Sequence, residues 1–172
     1  PFLDVRIQLW MRELRRMVAS VDKEPALRFA DDLNEEQLAT HLPLVHCREC
    51  GSMGGSGMKR KVSNEIRGAL QDFYYGFFSH SPQVVYLFPE NGQSGIPGAR
   101  KQTELTDSSP KVGMYYFCTR CLHVTAQANP VHCPSCEHDE LILVYMPDVR
   151  TKDGNYSHNN CPYCSAQNSL TL

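Results

Sequence analysis

Apolar and polar positions recur with two different periods along this chain, so its two halves are predicted to fold differently. From Val5 to Val21, Trp10, Leu14, Met17, Val18 and Val21 recur at helical spacing while Arg12, Arg15 and Arg16 lie off that stripe, which predicts an amphipathic helix with a solvated basic face. Asp32 followed by Glu35 resembles a capping box that opens a short helix through Ala39, stopped near His41 by the conformational bias before Pro43. Ser63 can cap a second helix running through Phe78, where Ile66, Leu70, Phe73, Tyr74, Phe77 and Phe78 form the apolar stripe of the main core helix. Beyond it the period shortens. Gln83 to Phe88, Gly113 to Phe117 and Leu141 to Met146 read as strands, rich in β-branched and aromatic residues. Pro89 to Pro110 is polar, broken by Gly, Pro and Ser, and is expected to be a mobile loop, and Pro147 to Asn160 is turn-rich.

Chemistry enters with the cysteines. All eight fall in Cys-x-x-Cys pairs: Cys47/Cys50, Cys118/Cys121, Cys133/Cys136 and Cys161/Cys164. One such knuckle aims two thiolates from a tight turn at one ion, and two knuckles complete a tetrahedron. The eleven-residue stretch LHVTAQANPVH between Cys121 and Cys133 suits a zinc ribbon, which assigns Cys118, Cys121, Cys133 and Cys136 to one zinc. Cys47, Cys50, Cys161 and Cys164 then take a second by elimination, although spacing alone leaves interleaved pairings open. That second site would close a loop of more than a hundred residues and bring the ends of the module together, as an insertion between other domains requires. With four thiolates per ion there is no open position for water, so the metal is expected to be structural. An iron–sulfur cluster and a redox dithiol are the competing uses of the same cysteines. His46, His123, His132 and His138 lie near the knuckles and are read as solvent-facing or supporting groups.

These patterns predict an α+β fold of small irregular zinc-ribbon units, with two four-cysteine knuckle sites, short antiparallel strands and two or three helices. Residues 1–42 form a helical N-terminal segment and 43–172 a two-zinc ribbon domain, with its core helix at about 63–79 and a mobile loop at about 89–112. LPLVHCRECGSMGGSG, residues 42–57, reads as an apolar run, a knuckle and a glycine-rich loop.

The chain has 172 residues, 41% hydrophobic and 21% charged, which places it in the ordinary globular class. It carries neither a signal-peptide pattern nor an apolar run of membrane-spanning length, which leads to a cytoplasmic expectation with no membrane partner. In a reducing compartment, paired cysteines ligate metal rather than form disulfides. The start at Pro1 suggests a piece of a longer protein. A net charge of −2 gives no global pull toward nucleic acid, so any such contact must be local. The candidates are Lys59, Arg60, Lys61 and Arg67, Arg100 and Lys101 in the loop, and Tyr115 and Tyr116 beside a knuckle, because cations interleaved with aromatics suit phosphate contact and base stacking.

Other motifs fail. In GSMGGSGMKRK, Lys59 does not follow a glycine and Lys61 precedes Val62 rather than Ser or Thr, which excludes a phosphate-binding P-loop. Only CRECGSMG approaches the Cys-x-x-Cys-x-Gly-x-Gly repeat of chaperone zinc domains. Gly-x-Ser-x-Gly, His-Glu-x-x-His and paired-carboxylate arrangements do not occur, so no catalytic residues are assigned.

Taken in order, QLWMRELRRMV, RFADDL, HLPLVHCRECG, YYFCTRC, HCPSC and NNCPYCSAQNSLTL resemble the cysteine-rich region of large bacterial DEAD/DEAH-box superfamily 2 helicases, some of them in anti-phage defence systems of the Druantia type. The likeness spans nearly the whole chain and departs from the family pattern after CREC, where GSMGGSG replaces a Gly-Trp element. It implies an insertion beside two RecA-like lobes, which would be this segment's partners within an ATP-binding, DNA-translocating parent. The Walker lysine, the acidic box and the arginine finger do not lie in these residues. Two further classes stand beside that expectation: a protein-interaction zinc module without nucleic-acid contact, and an iron–sulfur or redox protein.

Overall fold

The computed structural model describes residues 16–22, 25–60, 62–90 and 112–172. Antiparallel sheet dominates it. The strands are β1 (Met17–Ser20), β2 (Leu27–Phe29), β3 (His41–Cys47), β4 (Met53–Lys59), β5 (Ile66–Arg67), β6 (Val84–Pro89), β7 (Val112–Cys118), β8 (Val124–Thr125), β9 (Leu141–Pro147) and β10 (Leu170–Thr171). Two α-helices accompany them, α1 (Glu35–Leu38) and α2 (Leu70–Phe78), with a 3-10 turn at Ala30–Asp32. The sheet runs β2-β1-β3-β4-β6-β9-β7-β8, with β10 added to β3 and β5 to β4.

The sheet also closes on itself. Glu65 bridges His123, Ile66 N–H donates to Leu122 O at 2.9 Å, and Val124 N–H donates to Asn64 O at 2.8 Å, which joins β5 to the start of β8. The circuit β4-β6-β9-β7-β8-β5 therefore returns to β4 and forms a small barrel. Alternation along the strands fills it: Leu87 from β6, Ile142, Val144 and Met146 from β9, Phe117 from β7, Val124 and Ile66 make one buried cluster. The opposite faces of the same strands supply a second cluster. Val84, Tyr86 and Phe88 of β6 pack there with Phe73 and Phe77 of α2 and with Cys161 and Leu170. β6 is thus buried on both faces, which is why it reads as a continuous apolar run.

Three expectations are corrected. Met17 to Ser20 is a strand, not part of a helix; Val18 pairs with both Arg28 and Pro43, and residues 5–15 of the predicted helix lie outside the described residues. The glycine-rich segment after CREC is strand β4, not a loop. A Cβ on Gly57 would meet Ile66 Cγ2 at 2.6 Å, and one on Gly54 would meet Phe88 Cδ1 at 2.7 Å, so these glycines let large neighbours pack flat against β4. Buried Ser56 between them satisfies its hydroxyl by donating to Pro43 O at 2.9 Å.

The main helix begins at Leu70 rather than Ser63, because Ile66 is taken into β5 opposite Lys59 and buried in the barrel. Ser63 instead accepts from Glu65 N–H in a local turn. The capping box falls on Asn34 and Gln37 instead of Asp32 and Glu35, with both reciprocal bonds made. Residues 91–111 of the predicted loop lie outside the described residues.

Candidate metal centres

The eight sulfurs gather into two groups of four, Cys118/Cys121/Cys133/Cys136 and Cys47/Cys50/Cys161/Cys164, in each of which all ligand atoms lie within 4.8 Å of one another. Nearest approaches are 3.6 Å for Cys118–Cys136, 3.5 Å for Cys121–Cys133, and 3.7 Å for both Cys47–Cys164 and Cys50–Cys161. These are far beyond a disulfide's ~2.05 Å. They sit close to the ~3.8 Å edge of a tetrahedron with 2.3 Å metal–sulfur bonds. Both groups can hold a metal ion, and their donor set fits zinc or iron.

All four knuckles are built alike. In each, the first cysteine's carbonyl accepts from the residue four positions on: Gly51 to Cys47, Leu122 to Cys118, Glu137 to Cys133 and Ser165 to Cys161. Each first cysteine's N–H then donates five positions on, to Ser52, His123, His138 and Ala166. The fourth-position residue is left-handed every time, with φ of 71° at Gly51, 56° at Leu122, 59° at Glu137 and 59° at Ser165. Only the first knuckle places glycine there, so the other three hold a side chain in a conformation that costs an L-residue about 1–2 kcal/mol. In two knuckles the chain also turns an amide onto the sulfur: Ser135 N–H to Cys133 Sγ and Tyr163 N–H to Cys161 Sγ, both at 3.4 Å.

The first cysteine of every pair is buried, while the second is half-buried at Cys121 and Cys136 and exposed at Cys50 and Cys164. Burial pushes the Cys118, Cys121 and Cys161 thiols up. Burial acts the same way on Cys47, but contact with the Ser169 hydroxyl and the amides of Cys50 and Glu49 outweighs it and lowers that thiol to about 6. Cys133 is likewise lowered to about 7, because the amides of Ser135 and Cys136 overcome the effect of burial. Each group thus offers one thiolate readily and holds its other protons until a cation displaces them.

The two groups occupy different places. Cys118 ends β7, and its group lies wholly between β7 and β9, at one end of the barrel. Cys47 ends β3, and Leu170 of β10 pairs directly with it, so the second group pins the C-terminal strand to the sheet. Tyr163, inside that knuckle, sets its ring edge-on to Phe88 at 5.3 Å.

The histidines near the knuckles belong to neither group. His132 pairs with Asp139 at 2.7 Å and His138 lies 3.7 Å from Glu140. His123 is spent in the barrel-closing bridge to Glu65, and His46 pairs with Met53 and Thr171.

Of the candidate nucleic-acid residues, Lys59, Arg60 and Tyr115 converge on one cavity of about 610 Å³. Arg67 stands apart, 3.7 Å from Glu65, and the Tyr116 hydroxyl donates to Asn129 at 2.8 Å. Lys61, Arg100 and Lys101 lie outside the described residues. Sequence reasoning missed Arg150, which lines the same cavity and binds both oxygens of Asp148 at 2.8 and 2.7 Å. It lies in a turn-rich stretch, where nothing in the sequence marks it.

Comparison of the chain with protein-family models, curated proteins and solved structures finds no match. No helix among the described residues is long and apolar enough to cross a membrane.

Proposed function

We propose that the chain is a two-zinc structural module serving as an accessory or insertion domain of a larger ATP-dependent DNA helicase. The observation that carries the structural part is the closure of both sulfur groups. Each supplies four thiolates at single-ion spacing, so zinc would fill its coordination with protein and keep no position for a reacting water. A multi-iron cluster fits this spacing poorly, since its thiolates sit on separate irons.

The helicase assignment rests on the ordered likeness of the cysteine segments, and the chain's path is compatible with it. Val18 and Thr171 sit opposite Pro43 and His46 on the edge of β3 away from β4, three register positions or about 10 Å apart. An inserted domain needs its entry and exit that close. A second reading, a zinc module that binds protein and not nucleic acid, is favoured by Tyr75 and Phe78, exposed one turn apart on α2.

Native mass spectrometry of the purified chain with its optical spectrum is the test. Two zinc ions and no visible absorbance support the structural reading. Iron with absorbance near 400 nm, or a folded chain without metal, overturns it.

A further inference from the structure

The barrel has an open mouth, and its chemistry is uneven. The cavity of about 610 Å³ is lined on the inside by Val85, Tyr115 and Met146, which belong to or pack on the barrel core, and at the rim by Lys59, Arg60 and Arg150. Asp148 is the single carboxylate among the lining residues and is already engaged by Arg150. The rim is therefore cationic on a chain whose net charge is −2. Its size falls within the ~300–1,000 Å³ of small-molecule sites, and barrel mouths are a recurrent place for them.

Tyr115 is set deliberately against this opening. A Cβ on Gly113 would lie 2.4 Å from Tyr115 Cε2 and 3.0 Å from Cζ, so the ring lies back over the bare glycine two positions earlier on the strand. One ring face is thus supported by backbone, at the wall of the cavity. A flat aromatic platform beside paired cations matches a ligand with an aromatic face and a phosphate.

We propose that the barrel mouth binds one unpaired nucleotide, its base stacked on Tyr115 and its phosphate held by Lys59 and Arg60, with Arg150 fixed beside them by Asp148. This deepens the accessory-domain reading by naming the residues that would engage a strand, but it stands on the cavity and not on the metal. The same chemistry is offered by a free mononucleotide and by one nucleotide of a single strand. A duplex, whose bases are stacked inside, cannot use the platform.

Fluorescence anisotropy with the metal-loaded chain tests it, using labelled 15-mer oligothymidylate, the same length of duplex DNA, and unlabelled AMP as competitor. Single strand is expected to bind in preference to duplex. The exposed-rim variant Arg60→Glu, combined with Lys59→Glu, should weaken binding at least tenfold and flatten the salt slope by about 1.4, at 0.7 for each lost phosphate contact on a single strand. Tyr115→Leu, which keeps apolar volume, should weaken it about fivefold or more with the salt slope unchanged. Arg28→Glu, on β2, should change nothing. Displacement by AMP in the micromolar range would identify the free nucleotide as the source, and its failure would identify the strand. Three results overturn the proposal: duplex bound as tightly as single strand, affinity insensitive to both the rim and Tyr115 variants at unchanged melting temperature, or neither probe bound. Metal content measured on the same samples separates these failures from failure of the zinc reading.

Discussion

The two sulfur groups are nearly identical as coordination chemistry and opposite as topology. Cys118 and Cys136 are 18 residues apart, whereas Cys47 and Cys164 are 117 apart. With closure entropy growing as (3/2)RT ln n, the longer loop costs about 1.7 kcal/mol more to close in an unfolded chain. The local group can therefore fill before the sheet forms, while the long-range group fills only once β3 and the C-terminal knuckle have met. Donor geometry is set by the repeated knuckle turn, and the consequence for the fold is set by where in the chain each knuckle sits.

The largest expected effect follows from that asymmetry. Cys161→Ser should remove one of two metal ions and release the segment that ends in β10, held otherwise by only two register pairs to β3. A structural zinc site is worth on the order of 10 kcal/mol, so a loss of at least ~5 kcal/mol is expected. In a chain of this size that corresponds to a melting temperature about 10–20 °C lower. Cys133→Ser should also lose one ion but fray mainly the excursion between β7 and β9, with a smaller shift. Calorimetry and native mass spectrometry on the two variants would break the comparison if the local variant proved the more damaging.

Exposure separates the groups next. Cys50 and Cys164 are exposed, whereas Cys121 and Cys136 are only half-buried. A chelator should strip the long-range ion first, giving two phases of metal release about tenfold or more apart in rate. The fast phase should be missing in Cys161→Ser. A single phase would mean that release is limited by global opening and that the exposure difference is immaterial.

Protons compete with metal at both groups. The Cys118, Cys121 and Cys161 thiols are pushed up, chiefly by burial, and stay protonated through neutral pH without metal. Metal binding must release those protons, so affinity rises with pH until the thiols ionise and falls as pH drops. The local group carries two of these raised thiols and Cys133 lowered to about 7; in the long-range group Cys47 is lowered further, to about 6. Metal titration between pH 5.5 and 8 should therefore show acid release from both, with the local group losing its ion at the higher pH. Equal midpoints would remove this distinction.

Much of this was legible in the sequence, and the misses share one cause. The grouping of cysteines follows from spacing and elimination, and the runs before Cys118 and around Leu141 and Val84 announce strands because they are apolar on both faces. What sequence could not supply is the barrel closure, because it depends on residues 64–66 meeting 122–124. That contact takes Ile66 from the helical stripe it fits so well. It also makes β4 a strand despite Gly54, Gly55 and Gly57, whose low strand propensity is overridden by Leu42, Ile66 and Phe88 filling the space their side chains would occupy. Met17 and Val18 fit a helix or a short strand equally, and pairing with Arg28 and Pro43 decides it.

The smallest predicted effect probes what the knuckles share. Gly51 has φ of 71° and nothing within 4 Å of a Cβ placed there, so Gly51→Ala carries backbone strain alone, about 1 kcal/mol. Glu137, at φ 59° in the equivalent place of a local-group knuckle, already bears that strain, and Glu137→Gly should relieve up to ~1 kcal/mol, less the entropy glycine adds to the unfolded chain. Thermal melts of the metal-loaded variants should therefore move in opposite directions, by about 2–4 °C per kcal/mol. If Glu137→Gly melts lower than the parent, the left-handed turn is not the strained position that the repeat of four knuckles implies, and the side chain at that place is contributing contacts of its own.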